Sequence, residues 1–241
     1  EEQQKLFAEQ VTISSKLGVQ TASSTKALEA SLIFFNKEAP AAAETIRDLT
    51  TAANALGMSS EQMVAGFANA APRLSKFGDS GVQTFKELQR VFKITGLEAE
   101  KVLNIVDKFD TFEGAAKQAG QLNAALGGNF VNAMDLMMAT DPVERFEMIR
   151  NSILDAGLSF DNMSYYQKIF YKDALGLSDI GELAMLLRGN LDDLAGATNQ
   201  SADSLIKQKE QAQAVMSITD AFNAILANNS ELFLSLAEAL N

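Results

Sequence analysis

Residues 95–109, TGLEAEKVLNIVDKF, hold in one short stretch the two signals that decide the fold. Gly96 follows a helical run and takes the left-handed conformation at little cost. Leu97 behind it can fold back onto the helix just ended, and Glu98 opens the next one. Beyond that start, Val102, Ile105, Val106 and Phe109 recur at three- and four-residue spacing, which sets them on one face of a helix. The stretch reads as helix, stop, helix.

The same punctuation occurs at Leu56-Gly57-Met58-Ser59, Ala156-Gly157-Leu158-Ser159 and Leu175-Gly176-Leu177-Ser178. A new helix is expected at once after Gly57, Gly96 and Gly176, whereas after Gly157 the start is delayed to near Ser164. Helix starts are marked as clearly. Asp110-Thr111-Phe112-Glu113 and Ser164-Tyr165-Tyr166-Gln167 have capping-box spacing, and Asp141-Pro142 puts an acceptor at the cap with proline in the first turn. Pro40 is expected in the same first-turn role, while Pro72, after Ala70 and Ala71, is expected to end a helix.

Between these marks Val143, Phe146, Ile149 and Ile153 share a face, as do Ile180, Leu183, Ala184 and Leu187. Alternation long enough for a strand is missing. With 36 Ala against 10 Val and 3 Pro, propensity also favours helix throughout. The expected fold is all-α: over residues 1–198 a compact bundle of about ten short helices, mostly about ten to seventeen residues long, then a longer C-terminal helix over residues 199–241.

That last region differs in character. From Ser201 to Asn228 there is no Gly or Pro, and Leu205, Ala212, Val215, Phe222 and Leu226 fit two positions of a seven-residue repeat, with Gln208 and Thr219 as polar interruptions. Two readings stand side by side: a coiled-coil seam joining copies of the chain, or an amphipathic helix packed on its own domain. Asn228-Asn229-Ser230 then offers a break and a fresh cap before Leu232, Phe233, Leu236 and Leu240.

Composition narrows the function classes. The formal net charge is −11 and the sequence has no His, Cys or Trp. Zinc sites of the usual kind, disulfides, cysteine nucleophiles and Ser-His-Asp triads are therefore excluded within these residues. An acidic chain without a Lys/Arg stripe is not expected to bind nucleic acid stably. No apolar run approaches the roughly 20 residues of a membrane-spanning helix, and the greasiest stretch, Ser31 to Phe35, is expected in the core. The chain begins at Glu1, as expected of a piece of a longer polypeptide, and carries no signal peptide at that start.

Paired carboxylates are the first candidates for chemistry: Asp192 with Asp193, Asp107 with Asp110, and Glu98 with Glu100. In an acidic helical chain these are expected on solvated faces and at caps, with Asp110 acting as a cap. Neither Asp107 to Glu113 nor Asp155 to Asp161 has the spacing of a calcium loop. Gly127-Gly128 lacks the Lys-Ser/Thr of a phosphate loop and is read as a chain reversal between Leu126 and Phe130. Met134, Met137 and Met138 are expected to fill core gaps rather than form an adaptable face. Tyr165, Tyr166 and Tyr171, near Phe170, are expected at the core boundary with their hydroxyls in water. No residue is assigned to catalysis, a cofactor or a metal, and the expectation is a non-catalytic protein.

The run FGDSGVQTFKELQRVFKITGL from Phe77 to Leu97 and the run FDTFEGAAKQAGQLNAALGGNFVNAMDLMMATDPVERFEMIRNSILDAG from Phe109 to Gly157 resemble segments of bacteriophage tail tape-measure proteins. The likeness spans roughly residues 50 to 195, and FDTFEGAA, ALGGNF and ATDPVERF in that order are its more particular part. The resemblance implies a virion protein of the tail lumen, tail tip or baseplate hub, assembled in the host cytoplasm. Such a protein sets tail length, helps tail assembly and leaves ahead of the DNA at genome ejection. It also implies tail-tube, tail-tip or baseplate hub proteins as partners. Several copies would share the tube, with a trimer the favoured homo-oligomer, and no cofactor is implied. Contact with a host membrane after ejection stays open. Two other readings remain: a peptidoglycan-degrading, lytic transglycosylase-like tail domain, for which no Glu-Ser pair opening a helix is found, and a helical adaptor unrelated to phage.

Overall fold

In a computed structural model of the chain, residues 2–191, 194 and 196–199 are described. The chain divides into two units at residues 199 and 200. The second unit, and with it Leu205, Ala212, Val215, Phe222, Leu226 and the break at Asn228, lies outside the described residues, as do Asp192 and Asp193.

The first unit is all-α, with no strand among its described residues. Its helices are α1 (Glu2–Lys16), α2 (Thr21–Phe35), α3 (Ala39–Ala55), α4 (Ser60–Leu74), α5 (Gly81–Thr95), α6 (Ala99–Val106), α7 (Phe112–Leu126), α8 (Ala133–Met138), α9 (Pro142–Asp155), α10 (Tyr165–Leu175) and α11 (Ile180–Leu187). Short 3-10 turns follow α4 and α6 at Ser75–Ser80 and Asp107–Phe109.

The glycine punctuation works as local chemistry requires. Gly57, Gly96, Gly157 and Gly176 have φ of 61°, 81°, 78° and 70°. The residue behind the glycine closes the turn where Met58 N–H donates to Ala53 O and Leu177 N–H to Lys172 O, each at 2.8 Å. Leu97 and Leu177 are buried in the core. Ser59 caps α4, and Ser164 forms a full capping box with Gln167, so that α10 starts after the expected delay. Asp141 accepts from the N–H groups of Val143 and Glu144 at 2.8 and 3.0 Å, with Pro142 in the first turn. Pro40 holds the equivalent place in α3.

Three local expectations are corrected. Pro72 does not end α4, which runs on to Leu74 because Ala71 and Leu74 are buried in the core; the chain then tightens into the 3-10 turn. The cap of α7 is Thr111, one residue after Asp110, with Thr111 Oγ1 accepting from Gly114 N–H at 3.1 Å. A Cβ at Gly114 would lie 2.5 Å from Lys108 O, so glycine permits that start. Within Ser31–Phe35 only Ser31 and Phe35 are buried, while Ile33 is 72% exposed and Phe34 faces water in part. Successive helical residues turn through about 100°, so consecutive apolar residues cannot all face inward.

The core starts where α2, α4 and α5 meet. Phe67 stacks on Phe35 and meets Phe85 edge-on, both with ring centroids 5.6 Å apart. Gly81 lets the first turn of α5 in under Phe35, where a Cβ would come within 2.3 Å of the ring. Ala42, Ala43, Ala52 and Ala53 give α3 a small-residue face against its neighbours α1, α2 and α4. Val102, Ile105, Val106 and Phe109 of α6 and its turn extend the core, as do Val143, Phe146, Ile149 and Ile153 of α9. In α11, Leu183, Ala184 and Leu187 are buried and Ile180 is half-buried.

Candidate contact surface

The carboxylates singled out by sequence resolve into a joint. Asp107 accepts from Arg73 and Lys76, each at 2.8 Å, and Lys76 also reaches Asp110 at 3.3 Å. Arg145, buried in α9, pairs with Asp110 and donates to Val106 O at 2.9 Å and Ala139 O at 3.1 Å. The cluster ties the end of α4, the turn after α6 and the start of α9 together. Burial alone would raise the Asp110 carboxyl, but the hydrogen bond from Arg145 and the charge of Lys76 outweigh it and hold the group below its ordinary value. A general acid needs the opposite shift. Asp110 is thus an ion-pair acceptor rather than the expected cap. Glu98 stands at the start of α6 without a side-chain capping bond, and Glu100 lies in its first turn.

A second ionisable group lies among α2, α3 and α5. Lys37 donates to Thr45 at 2.8 Å. Burial raises the Asp48 carboxyl and lowers the ammonium groups of Lys37 and Lys86. No group of three or more His, Cys, Asp or Glu converges as metal ligands would among the described residues. No helix among them is long and apolar enough to cross a membrane.

The run from α7 to α10 presents the unusual surface. Gly127 caps α7 with φ 73°, and the side chain of Asn123 staples the reversal behind it. Asn123 Oδ1 accepts from Phe130 N–H at 2.9 Å and Val131 N–H at 2.7 Å, while Nδ2 donates to Val131 O at 2.8 Å. The expected reversal is therefore present, and it leaves Phe130 exposed. In α8, Leu136 is buried, and Met134 and Met138, two residues to either side of it, fall on the opposite face. They are 52% and 75% exposed, which corrects the expectation that they fill the core; Met137 is half-buried. The signal was available, since a six-residue helix with one strong apolar anchor has an outer face.

Between α7 and α10 runs an apolar groove of about 340 Å³, lined by Ala124, Ala125, Tyr166, Gln167, Phe170 and Tyr171. Tyr165 and Tyr166 are exposed with rings 5.8 Å apart, and Phe170 meets Tyr171 edge-on at 5.7 Å. Tyr171 departs from its expected place. It is wholly buried, its hydroxyl has no hydrogen-bond partner, and burial raises its pKa. A second apolar groove, of about 430 Å³, lies between α1 and α2 beside Phe7, Val11, Leu28 and Leu32.

Phe112, Phe130, Met134, Met138, Tyr166 and Phe170 are thus apolar or aromatic side chains that this run leaves exposed. In comparisons with protein-family models, curated proteins and solved structures, nothing matches the chain.

Proposed function

We propose that this chain is a non-catalytic segment of a bacteriophage tail tape-measure protein, working by contact with neighbouring virion proteins. The observation that carries the reading joins sequence to surface. The runs FDTFEGAA, ALGGNF and ATDPVERF, on which the resemblance rests, supply the start of α7, the stapled reversal and the cap of α9. α8 packs against both α7 and α9, and the same run leaves Phe112, Phe130, Met134 and Met138 in water. Residues of that kind serve adhesion rather than turnover.

A length ruler is extended, whereas residues 21–187 are cut into short helices that bury their apolar faces on one another. This supports reading the segment as a compact portion of the parent, one ordered against tail-tip or baseplate hub proteins. The acidic charge suits a conduit for DNA, because it gives phosphate backbones nothing to cling to.

The parent gene tests the reading. A long, helix-rich reading frame beside tail-tube and baseplate genes, with its product recovered from purified virions by mass spectrometry, is the expected result. A short frame remote from any tail gene points to an adaptor and ends the proposal. Reproducible clearing of purified cell wall, abolished by substituting one Glu, would make the segment a lytic enzyme instead.

A further inference from the structure

Between the turn at Ser75–Ser80, the start of α5 and the entry to α9 lies a polar cleft of about 260 Å³, lined by Lys76, Phe77, Ser80, Thr84, Thr140 and Asp141. It is separate from the two apolar grooves and shares only Lys76 with the ionic joint. Asp141 commits one carboxylate oxygen to α9: Oδ1 accepts from both Val143 and Glu144 N–H, which leaves Oδ2 as an acceptor. Ser80 donates its proton to Phe77 O at 2.8 Å and keeps the lone pairs of its own oxygen. Thr140 is exposed at the rim.

Thr84 is the unusual member of the wall. A helical threonine can bond back to the carbonyl four residues earlier, and Thr12, Thr25, Thr45 and Thr95 all do so in this chain. Thr84 does not. It is 2% exposed, and its hydroxyl makes no hydrogen bond to another described residue. A buried hydroxyl without a partner is costly unless something in the cleft takes its hydrogen bond.

Charge narrows the occupant. The wall holds one charge of each sign, Lys76 and Asp141, and Lys76 is already paired with Asp107 and Asp110. Such a wall favours neither an anion nor a cation. It offers the hydroxyls of Thr84 and Thr140 as donors and acceptors, the oxygens of Ser80 and Asp141 as acceptors, and the ring of Phe77. A neutral polyhydroxyl ring has hydroxyls at its edge to meet the first two sets and a C–H face to lie against an aromatic side chain. We propose that the cleft binds a neutral sugar of monosaccharide size, with the Thr84 hydroxyl as its buried recognition group. The volume lies just below the roughly 300–1,000 Å³ of ordinary small-molecule pockets, which limits the ligand to a single ring. The inference stands on the fold and does not depend on the phage reading.

Saturation-transfer NMR on the whole chain tests it, with D-glucose, D-galactose, D-mannose and N-acetyl-D-glucosamine as probes and inorganic phosphate as a charged competitor. At least one sugar is expected to bind with millimolar affinity, and phosphate is not expected to displace it. Thr84→Val keeps the shape of the wall and removes the hydroxyl. It is expected to weaken binding by about threefold to tenfold, the loss of one hydrogen bond. A threonine that only shapes the fold would change the thermal melt and leave the affinity alone. Should Thr84→Val not fold, Thr140→Val at the exposed rim decides, with a similar loss of affinity expected and an unchanged melt. Binding by none of the four sugars, displacement by phosphate, or unchanged affinity in the deciding variant overturns the site.

Discussion

The region from α2 to α5 and the region from α7 to α10 use the same helix punctuation and differ in what they leave in water. The first turns Phe35, Phe67 and Phe85 onto one another and closes around alanines, with Ile33 and Phe34 as its exposed exceptions. The second leaves Phe112, Phe130, Met134, Met138, Tyr165, Tyr166 and Phe170 outside. The difference teaches that glycine stops and side-chain caps set where helices end, while the number of neighbours around each helix sets which apolar residues are spent on the interior. Helices α3, α4 and α5 are each packed by several others; α8 touches α7, α9 and the turn before α7.

The largest effect expected from this contrast is in the phenylalanine cluster. Phe67→Ala removes the ring shared by both contacts and should destabilise the fold by about 3–5 kcal/mol, the usual cost of emptying a buried aromatic site. Phe170→Ala, on the rim of the α7–α10 groove, should cost less than about 1.5 kcal/mol. Urea unfolding of both variants measures the gap. Equal losses would erase the contrast between the two regions.

A smaller and more diagnostic effect concerns two acids of opposite sign. Asp110 is held below its ordinary pKa in the folded chain, so it adds stability above the unfolded value and loses it as pH falls through the folded one. Asp48 is raised by burial, so the folded chain resists its charge. Stability there is fullest below the unfolded value and declines as pH rises through the folded pKa. At pH 7, Asp110→Asn should lower stability and Asp48→Asn should raise it, each by less than about 1 kcal/mol because both carboxylates are partly in water. As pH falls below the ordinary carboxyl range the Asp48 difference should vanish, whereas the Asp110 difference should shrink and be lost only below its lowered folded pKa. Thermal melts at pH 7 and pH 3 show the signs, and the same sign for both variants at pH 7 breaks the argument.

What the sequence disclosed follows the same division. The stops at Gly57, Gly96, Gly157 and Gly176 and the caps at Ser59, Asp141 and Ser164 were legible, because each is fixed by residues within about five positions. The shift of the α7 cap from Asp110 to Thr111 was not, since it depends on Arg145, distant in sequence, claiming the Asp110 carboxylate. The facing of Ile33 and of Met134 and Met138 was half legible. Helical geometry forbids burying every member of such a run, yet which members turn outward depends on the neighbours. Arg145 and Arg150 were missed although their positions gave a clue. Arg150 lies four residues after Phe146 and three before Ile153, on the stripe that faces the core. A cation on such a stripe has to find acceptors inside, and here it finds main-chain carbonyls.

The smallest expected change is at the outer face of α8. Met138 keeps three-quarters of its surface in water, so folding gains little from its side chain, and Met138→Ser should alter stability by no more than about 0.5 kcal/mol in urea unfolding. Serine also lowers helix propensity by only a few tenths of a kcal/mol, and the position closes the helix, which reduces even that. A loss above about 1 kcal/mol would mean that Met138 is packed against something in the folded chain. The face would then belong to the interior, and the contact surface would shrink to the groove between α7 and α10. A neutral result leaves Met134 and Met138 as apolar area that folding does not use, which is the property a docking face requires.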